Sequence, residues 1–306
     1  MIIVSEPDTG IDSLAEIENC RDTRIRHHRN EGPLGLGRSL NLALEMAKGR
    51  FVARIDSDDK WAKEKLERQC LYLDAHPEIA VLGSSSYIIN KAGEITGECL
   101  YPTDPTVIGW RLLYDDSINN TSSIMRQIVP QTIGGFDPRF TTAEDYDFWA
   151  RASEVFKIDN LPEKLVFYRT NPQGISTIDL SGTRANSAII SKRSMERVLG
   201  SKLPLAVVGT MRFPYEKTTA SSYELAAKTT IDLCHKYVLK RNLATEESEK
   251  VLRTASRAYW DLLARAVACD LSDCGRVIAR AILSRPHRPD LETIRQASIA
   301  FAIGLK

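Results

Sequence analysis

Apolar residues in the first third of the chain fall into short β-branched runs that alternate with stretches at helical spacing. Ile2-Ile3-Val4 is one such run; it stops at Pro7-Asp8-Thr9-Gly10 and predicts a buried strand ending in a turn. The chain is therefore expected to begin inside a sheet, with a preceding strand missing or replaced by a later one. Between Leu34 and Ala47, Leu36, Leu40, Ala43, Leu44 and Ala47 share a helical face, and Gly49 stands where a cap would stop the helix. Phe51 to Ile55 then reads as a strand that delivers Asp56-Ser57-Asp58-Asp59 at its carboxyl end. A helix is expected from about Ala62 to Ala75, ending near His76-Pro77, followed by a buried strand over Ile79 to Gly83. Tyr87 to Asn90 with Ala92-Gly93-Glu94 reads as a further strand and turn. This alternation predicts an α/β sheet with right-handed crossovers, in which ligands bind beyond the carboxyl ends of the strands.

From about Ser221 the pattern turns helical. Tyr223 to Lys240, Glu246 to Ala268 and Cys274 to Leu283 have helical periodicity, and Arg285-Pro286-His287-Arg288-Pro289 breaks the chain before a last helix. The expected division is an α/β domain over 1–205 and a helical region over 215–306, without low-complexity segments or a convincing internal repeat.

Composition narrows the classes. With 306 residues, 43% of them hydrophobic, the chain can bury a sizeable core. Forty-one Lys and Arg stand against 40 Asp and Glu, so no long-range field draws in nucleic acid or an anionic membrane, and an anionic ligand must be held locally. The six cysteines are scattered, with neither a C-x-x-C pair nor zinc-ligand spacing, which suits a reduced, cytoplasmic setting. The start does not read as a signal peptide, and no run of eighteen apolar residues offers a membrane span. Membrane contact is expected to be peripheral only.

The candidate chemistry is acidic. Asp56, Asp58 and Asp59 place three carboxylates within four residues at a strand end, a pattern that suits Mg2+ or Mn2+ shared with a substrate's phosphates. A polar turn with Ser57 or Asp59 near the cap of the next helix explains the same residues without a ligand. Glu144 and Asp145 open a second helical pattern containing Phe148, Trp149 and Ala152. Favourable interaction with the helix dipole accounts for acids there, and a general base acting on an acceptor hydroxyl is the functional alternative.

Asn30, Gly35 and Asn41, then Arg54-Ile55-Asp56-Ser57-Asp58-Asp59, Gly134-Gly135-Phe136, Glu144-Asp145 and Tyr168-Arg169 occur in this order over residues 1 to 178. Together they resemble the family 2 glycosyltransferases, inverting enzymes with a GT-A fold. The resemblance implies a Rossmann-like mixed sheet flanked by helices, with the helical region as a C-terminal appendage. It further implies that Asp58 ligates the metal, that Asp56 contacts nucleotide or metal, and that Asp145 deprotonates the acceptor. Glu144 and Arg169 are placed with the nucleotide-sugar contacts, and Arg38 can reach a phosphate from its helix. The chain starts at what corresponds to the family's second strand, so Glu6 and Asp8 are approximate counterparts of nucleoside contacts. Where the family often has a histidine after the Tyr-Arg pair, Thr170-Asn171-Pro172-Gln173 stands, and Asn171 is a weaker ligand. The implied partners are a nucleotide-sugar donor, a UDP-sugar foremost, and a glycan or lipid-linked acceptor at the inner face of a bacterial membrane.

Two other classes compete: a phosphohydrolase with Asp56 as nucleophile and Asp58 as acid, and a non-catalytic domain that binds a nucleotide or glycan. Outside the motifs, adjacent His27 and His28 point to opposite sides of a strand and do not share a metal. Gly32, Gly35 and Gly37 lack dinucleotide-fingerprint spacing. Trp110 and Trp149 are expected in the core or along an acceptor groove.

Overall fold

A computed structural model describes residues 1–171, 174, 178–216 and 218–270. The helices expected after residue 273, and Pro172 and Gln173, lie outside the described residues. The chain divides into two units, one formed by residues 1–105 with 116–187, the other by residues 106–115 with the chain from 188 onward.

The first unit holds two sheets. β1 (Ile2–Ser5) and β2 (Arg26–Arg29), joined through α1 (Ile11–Asn19), pair in parallel as a two-stranded sheet. Although read as a buried strand, β1 is half-buried over Ile2 to Val4, because within its sheet only β2 flanks it. After α2 (Leu36–Met46), β3 (Phe51–Ala53) opens a six-stranded sheet in the order β3-β7-β5-β8-β4, with β6 beside β5. Its other members are β4 (Lys60–Trp61), β5 (Ile79–Ile89), β6 (Ile95–Cys99), β7 (Ile124–Arg126) and β8 (Lys157–Arg169). β5 and β8 run parallel and the remaining pairs are antiparallel, so the sheet is mixed. α3 (Lys65–Ala75) covers it with Leu73, which packs on Ile79, Leu82, Ile124, Leu161 and Leu165. α5 (Ile128–Ile133) and α6 (Glu144–Val155) complete the unit.

The two strands expected at 79–83 and 87–90 are one eleven-residue strand. Buried Ser84, Ser85 and Ser86 interrupt the apolar pattern without breaking the strand, because neighbouring polar groups receive them. Ser122 Oγ accepts from the Ser84 N–H at 2.9 Å, and Asn119 donates to Ser86 Oγ at 3.1 Å.

The second unit comprises most of α4 (Pro105–Arg111), the latter half of α7 (Leu180–Leu199), α8 (Leu205–Arg212), α9 (Ala220–Arg241) and α10 (Thr245–Asp270). Thr219 caps α9 by accepting from the Ser222 N–H, and Asn242 ends it in the left-handed conformation. Trp110 meets Tyr114 and Tyr237 edge-on inside a core that includes Met195, Leu233, Val251 and Leu262. That burial explains why residues 106–115 belong with the helices and why the division falls near residue 188 rather than over 205–215. Among the described residues no helix is long and apolar enough to cross a membrane.

Candidate active site

The acidic turn is held from both sides. Arg54 N–H donates to the Ser123 carbonyl (3.2 Å) and Asp56 N–H to Thr121 Oγ1 (3.2 Å), while Trp61 Nε1 donates to the Thr121 carbonyl (2.8 Å). These bonds fasten the end of β3 to the short 3-10 turn Asn120–Ser122. Beneath it, Gln69 donates to the Ser122 carbonyl at 2.9 Å, and fully buried Lys65 donates to Gln69 Oε1 at 2.8 Å with its ammonium 4.0 Å from the Trp61 ring centroid. Burial lowers the Lys65 pKa to about 7.

Asp59 points inward and accepts the Arg169 N–H at 2.7 Å; burial raises its pKa to about 6. Arg169, expected to contact the donor, donates to the carbonyls of Asp58 (2.8 Å), Asn90 (2.7 Å) and Lys91 (2.9 Å). It ties the acidic turn to the β5–β6 turn. Asp58 is half-buried, and its Oδ2 has Asn171 Nδ2 at a long 3.4 Å.

On the opposite side α6 begins directly after Ala143, a non-glycine residue at φ 60°, ψ 23°. Left-handed backbone at an alanine costs about 1–2 kcal/mol. Residues so constrained cluster at working sites. Glu144 is buried and Asp145 half-buried, and Asp145 Oδ1 accepts the N–H of Tyr146 at 2.8 Å. Arg54 spans the two acidic groups, with Nη2 at 3.0 Å from Asp56 Oδ1 and 3.4 Å from Glu144 Oε1. Burial, then the charge of Asp145, raises the Glu144 pKa to about 7. Burial raises Asp145 too, opposed by Arg54 and reinforced by Asp56. The Tyr168 phenol is pushed up by burial and by the charges of Asp59, Asp58, Asp56 and Asp145, which all act on this one group.

These shifts predict a slope in stability. The unfolded carboxyl of Glu144 ionises near 4.5 and the folded one near 7, so between those values the native state binds more protons and stability falls as pH rises. The loss is on the order of 3 kcal/mol across the window. Urea denaturation at pH 5 and pH 8 should show it, and Glu144→Gln should remove the Glu144 share of the slope while leaving that of Asp59.

The loop before α6 is clamped to α2. Asn41 Oδ1 accepts the Phe136 N–H (2.7 Å) while its Nδ2 donates to the Phe136 carbonyl (2.8 Å). Within α6, Asp147 pairs with Arg151 at 2.7 Å, and Arg151 donates to the carbonyls of Ile133 and Gly135, each at 2.7 Å. Phe136 stacks on Phe148, whose centroid is 4.4 Å away. Trp110 and Trp149 are fully buried, which removes the acceptor-groove reading.

The N-terminal candidates stand differently. Glu6 accepts from Ser39 Oγ (2.7 Å) and from the Leu34 N–H (3.1 Å), and it holds the loop that leads into α2. Those bonds lower its pKa, the Ser39 bond most. Asp8 is exposed and lines an open hollow of about 500 Å³ with Thr9, Gly10, Glu18 and Arg29. Arg38 is exposed in the first turn of α2 and makes no hydrogen bond or ion pair among the described residues.

For a divalent cation, no group of three or more His, Cys, Asp or Glu gathers among the described residues. Asp58 nevertheless fits the arrangement in which one carboxylate and the substrate's phosphates share the ion, since among the described residues its Oδ2 has only that long contact. Asp56 is half-buried, and its Oδ1 already accepts from Nε and lies 3.0 Å from Nη2 of Arg54.

Sequence reading selected Asp56, Asp58, Glu144 and Asp145 but gave no role to Arg54, Thr121 or Tyr168. Arg54 had a legible signal, because residues two apart on an extended segment share a face and Arg54 precedes Asp56 by two. Thr121, 65 positions from Asp56, had none.

A mixed sheet with an Asp-x-Asp turn at a strand end, faced by a carboxylate-bearing helix N-terminus, is a GT-A-like architecture. The model of Glycosyl transferase family 2 matches residues 5–132, which include the acidic turn and end before α6. TuaG of Bacillus subtilis, a glycosyltransferase named for teichuronic acid biosynthesis, is 31% identical over 58% of this chain and 69% of its own. WfaP of Escherichia coli, a UDP-Glc:alpha-D-GlcNAc-diphosphoundecaprenol beta-1,3-glucosyltransferase, is 27% identical over 57% of this chain and 67% of its own. The crystal structure of S. aureus TarS residues 1–349 with UDP-GlcNAc superposes at TM-score 0.52 with 18% identity, covering 92% of this chain and 78% of that one. The chain belongs to the family 2 glycosyltransferases. It spans 52–58% of the length of the first three curated relatives it matches.

Proposed function

We propose that the chain transfers a sugar from a nucleotide-sugar donor, foremost a UDP-sugar, to a hydroxyl of a glycan or lipid-linked acceptor, with inversion at the anomeric carbon. The observation that supports this most is the Arg54 guanidinium between Asp56 and Glu144, which sets the donor-side carboxylates next to Asp145. In this reading Asp145 Oδ2 removes the acceptor proton as the hydroxyl attacks, since Oδ1 is occupied by the Tyr146 N–H. Asp58 would hold a Mg2+ or Mn2+, which would supply charge stabilisation to the leaving diphosphate. Arg169 and Asp59 keep that turn in place, and Arg38 is the exposed cation for a phosphate.

The names of WfaP and TuaG support polysaccharide or glycolipid assembly, with an undecaprenyl-diphosphate-linked sugar as the first acceptor to test. The assay is UDP release from a panel of UDP-sugars with that acceptor, with the product linkage determined by NMR. Acceptor-dependent UDP release with an inverted linkage is the expected result. Nucleotide binding without release on any acceptor would favour a non-catalytic binding domain.

A further inference from the structure

The Arg54 side chain is 10% exposed and pairs with two acids from different parts of the chain, Asp56 and Glu144. Its Nε and Nη2 both lie on Asp56 Oδ1, at 3.1 and 3.0 Å, and Nη2 reaches Glu144 Oε1 at 3.4 Å. The Asp145 carboxyl feels its charge, and the Phe136 ring centroid lies 5.6 Å from the guanidinium carbon. Nη1 is buried with no partner among the described residues, so the group is not there to satisfy its own hydrogen bonds.

We propose that Arg54 is a resident counter-ion that withholds Asp56 from the divalent cation and sets the spacing between the acidic turn and the base-bearing helix. Of the two carboxylates, Asp58 would then be the one that holds the cation. Arg54 is a positioning residue: it acts through Asp56 and Glu144 and does not touch the reacting atoms. The metal role of Asp58 rests on the reading under Proposed function, whereas the effect of Arg54 on cation affinity does not. With the guanidinium gone, Asp56 and Glu144 would face each other unpaired, and a divalent cation would be drawn between them.

The test uses the whole chain and titrates Mn2+ alone, followed by the electron paramagnetic resonance signal of free Mn2+. Arg54→Gln should bind Mn2+ at least about tenfold more tightly than the wild type, the size expected for removing one nearby positive charge. Arg54→Lys, which keeps the charge and loses the fork, should stay close to the wild type in Mn2+ affinity while kcat falls and the donor KM holds. Unchanged or weaker Mn2+ binding by Arg54→Gln overturns the proposal.

A second variant leaves Arg54 in place. Asp56→Asn should bind Mn2+ alone within about threefold of the wild type, because Asp56 is not a ligand, whereas Asp58→Ala should lose that binding. Loss of that binding in Asp56→Asn overturns the proposal even if Arg54→Gln does not fold. Failure of the wild type to bind UDP with any metal would count against the functional reading alone, and the Mn2+ comparison would still decide the role of Arg54.

Discussion

Asp145→Asn is expected to lower the rate of acceptor-dependent UDP release about 10³-fold while leaving UDP affinity unchanged. Positioned general bases contribute 10² to 10⁴ in rate. Asparagine is nearly isosteric and can keep the bond from the Tyr146 N–H at 2.8 Å, so the start of α6 should retain its geometry. What it cannot do is take the acceptor proton. The neighbouring carboxyl does not replace it: Glu144 is buried, is raised to about 7, and is turned toward Arg54. Steady-state UDP release read beside calorimetric affinity separates the two effects, since a donor-site defect would lower both. A tenfold or smaller loss would remove Asp145 from the role of base.

Gly135→Ala is expected to destabilise the chain by about 2–4 kcal/mol, combining a left-handed backbone penalty with steric conflict at a buried polar contact. Gly135 sits at φ +75°, and an added Cβ would lie 2.5 Å from Asn41 Oδ1, the atom that accepts the Phe136 N–H. Asn41→Ala leaves both the N–H and carbonyl of Phe136 unpaired and should cost about 2 kcal/mol. The two changes should not add. Once Asn41 is truncated the clash disappears, so Gly135→Ala in that background should cost only the backbone term of about 1–2 kcal/mol. Urea denaturation of the two single variants and the double variant measures this directly. Because the clamp joins α2 to the loop before α6, both single variants should also lower kcat.

How far the sequence could be read depends on the range of the interactions involved. β3 and the acidic turn were legible because Phe51, Val52, Ala53 and Ile55 lead directly into the carboxylates. α6 was legible because Phe148, Trp149 and Ala152 lie on one face behind its acidic first turn. β5 was split in the reading because Ser84, Ser85 and Ser86 look like a break, and only the partners Asn119 and Ser122, more than thirty positions away, make them tolerable inside a sheet. α7 and α8 were not anticipated, and their buried Met195, Val207 and Val208 belong to a core completed by Leu233 and Val251.

The site shows the same limit. Asp56, Asp58, Glu144 and Asp145 were chosen by residue type and order; the first, second and fourth act on the Tyr168 phenol, and Glu144 joins Asp56 through Arg54. The three bonds from the Arg169 guanidinium to carbonyls of Asp58, Asn90 and Lys91 depend on β8 ending beside both turns. A cation at a strand end looks the same in the sequence whether it waits for a phosphate or fastens two loops.

The most direct test of the donor site is calorimetric titration of the purified chain with UDP, with and without Mn2+, beside Asp58→Ala. Mn2+-dependent binding by the wild type that Asp58→Ala loses is the expected result. Equal binding by the two proteins, or no binding of UDP or of other nucleoside diphosphates with any divalent cation, would contradict it.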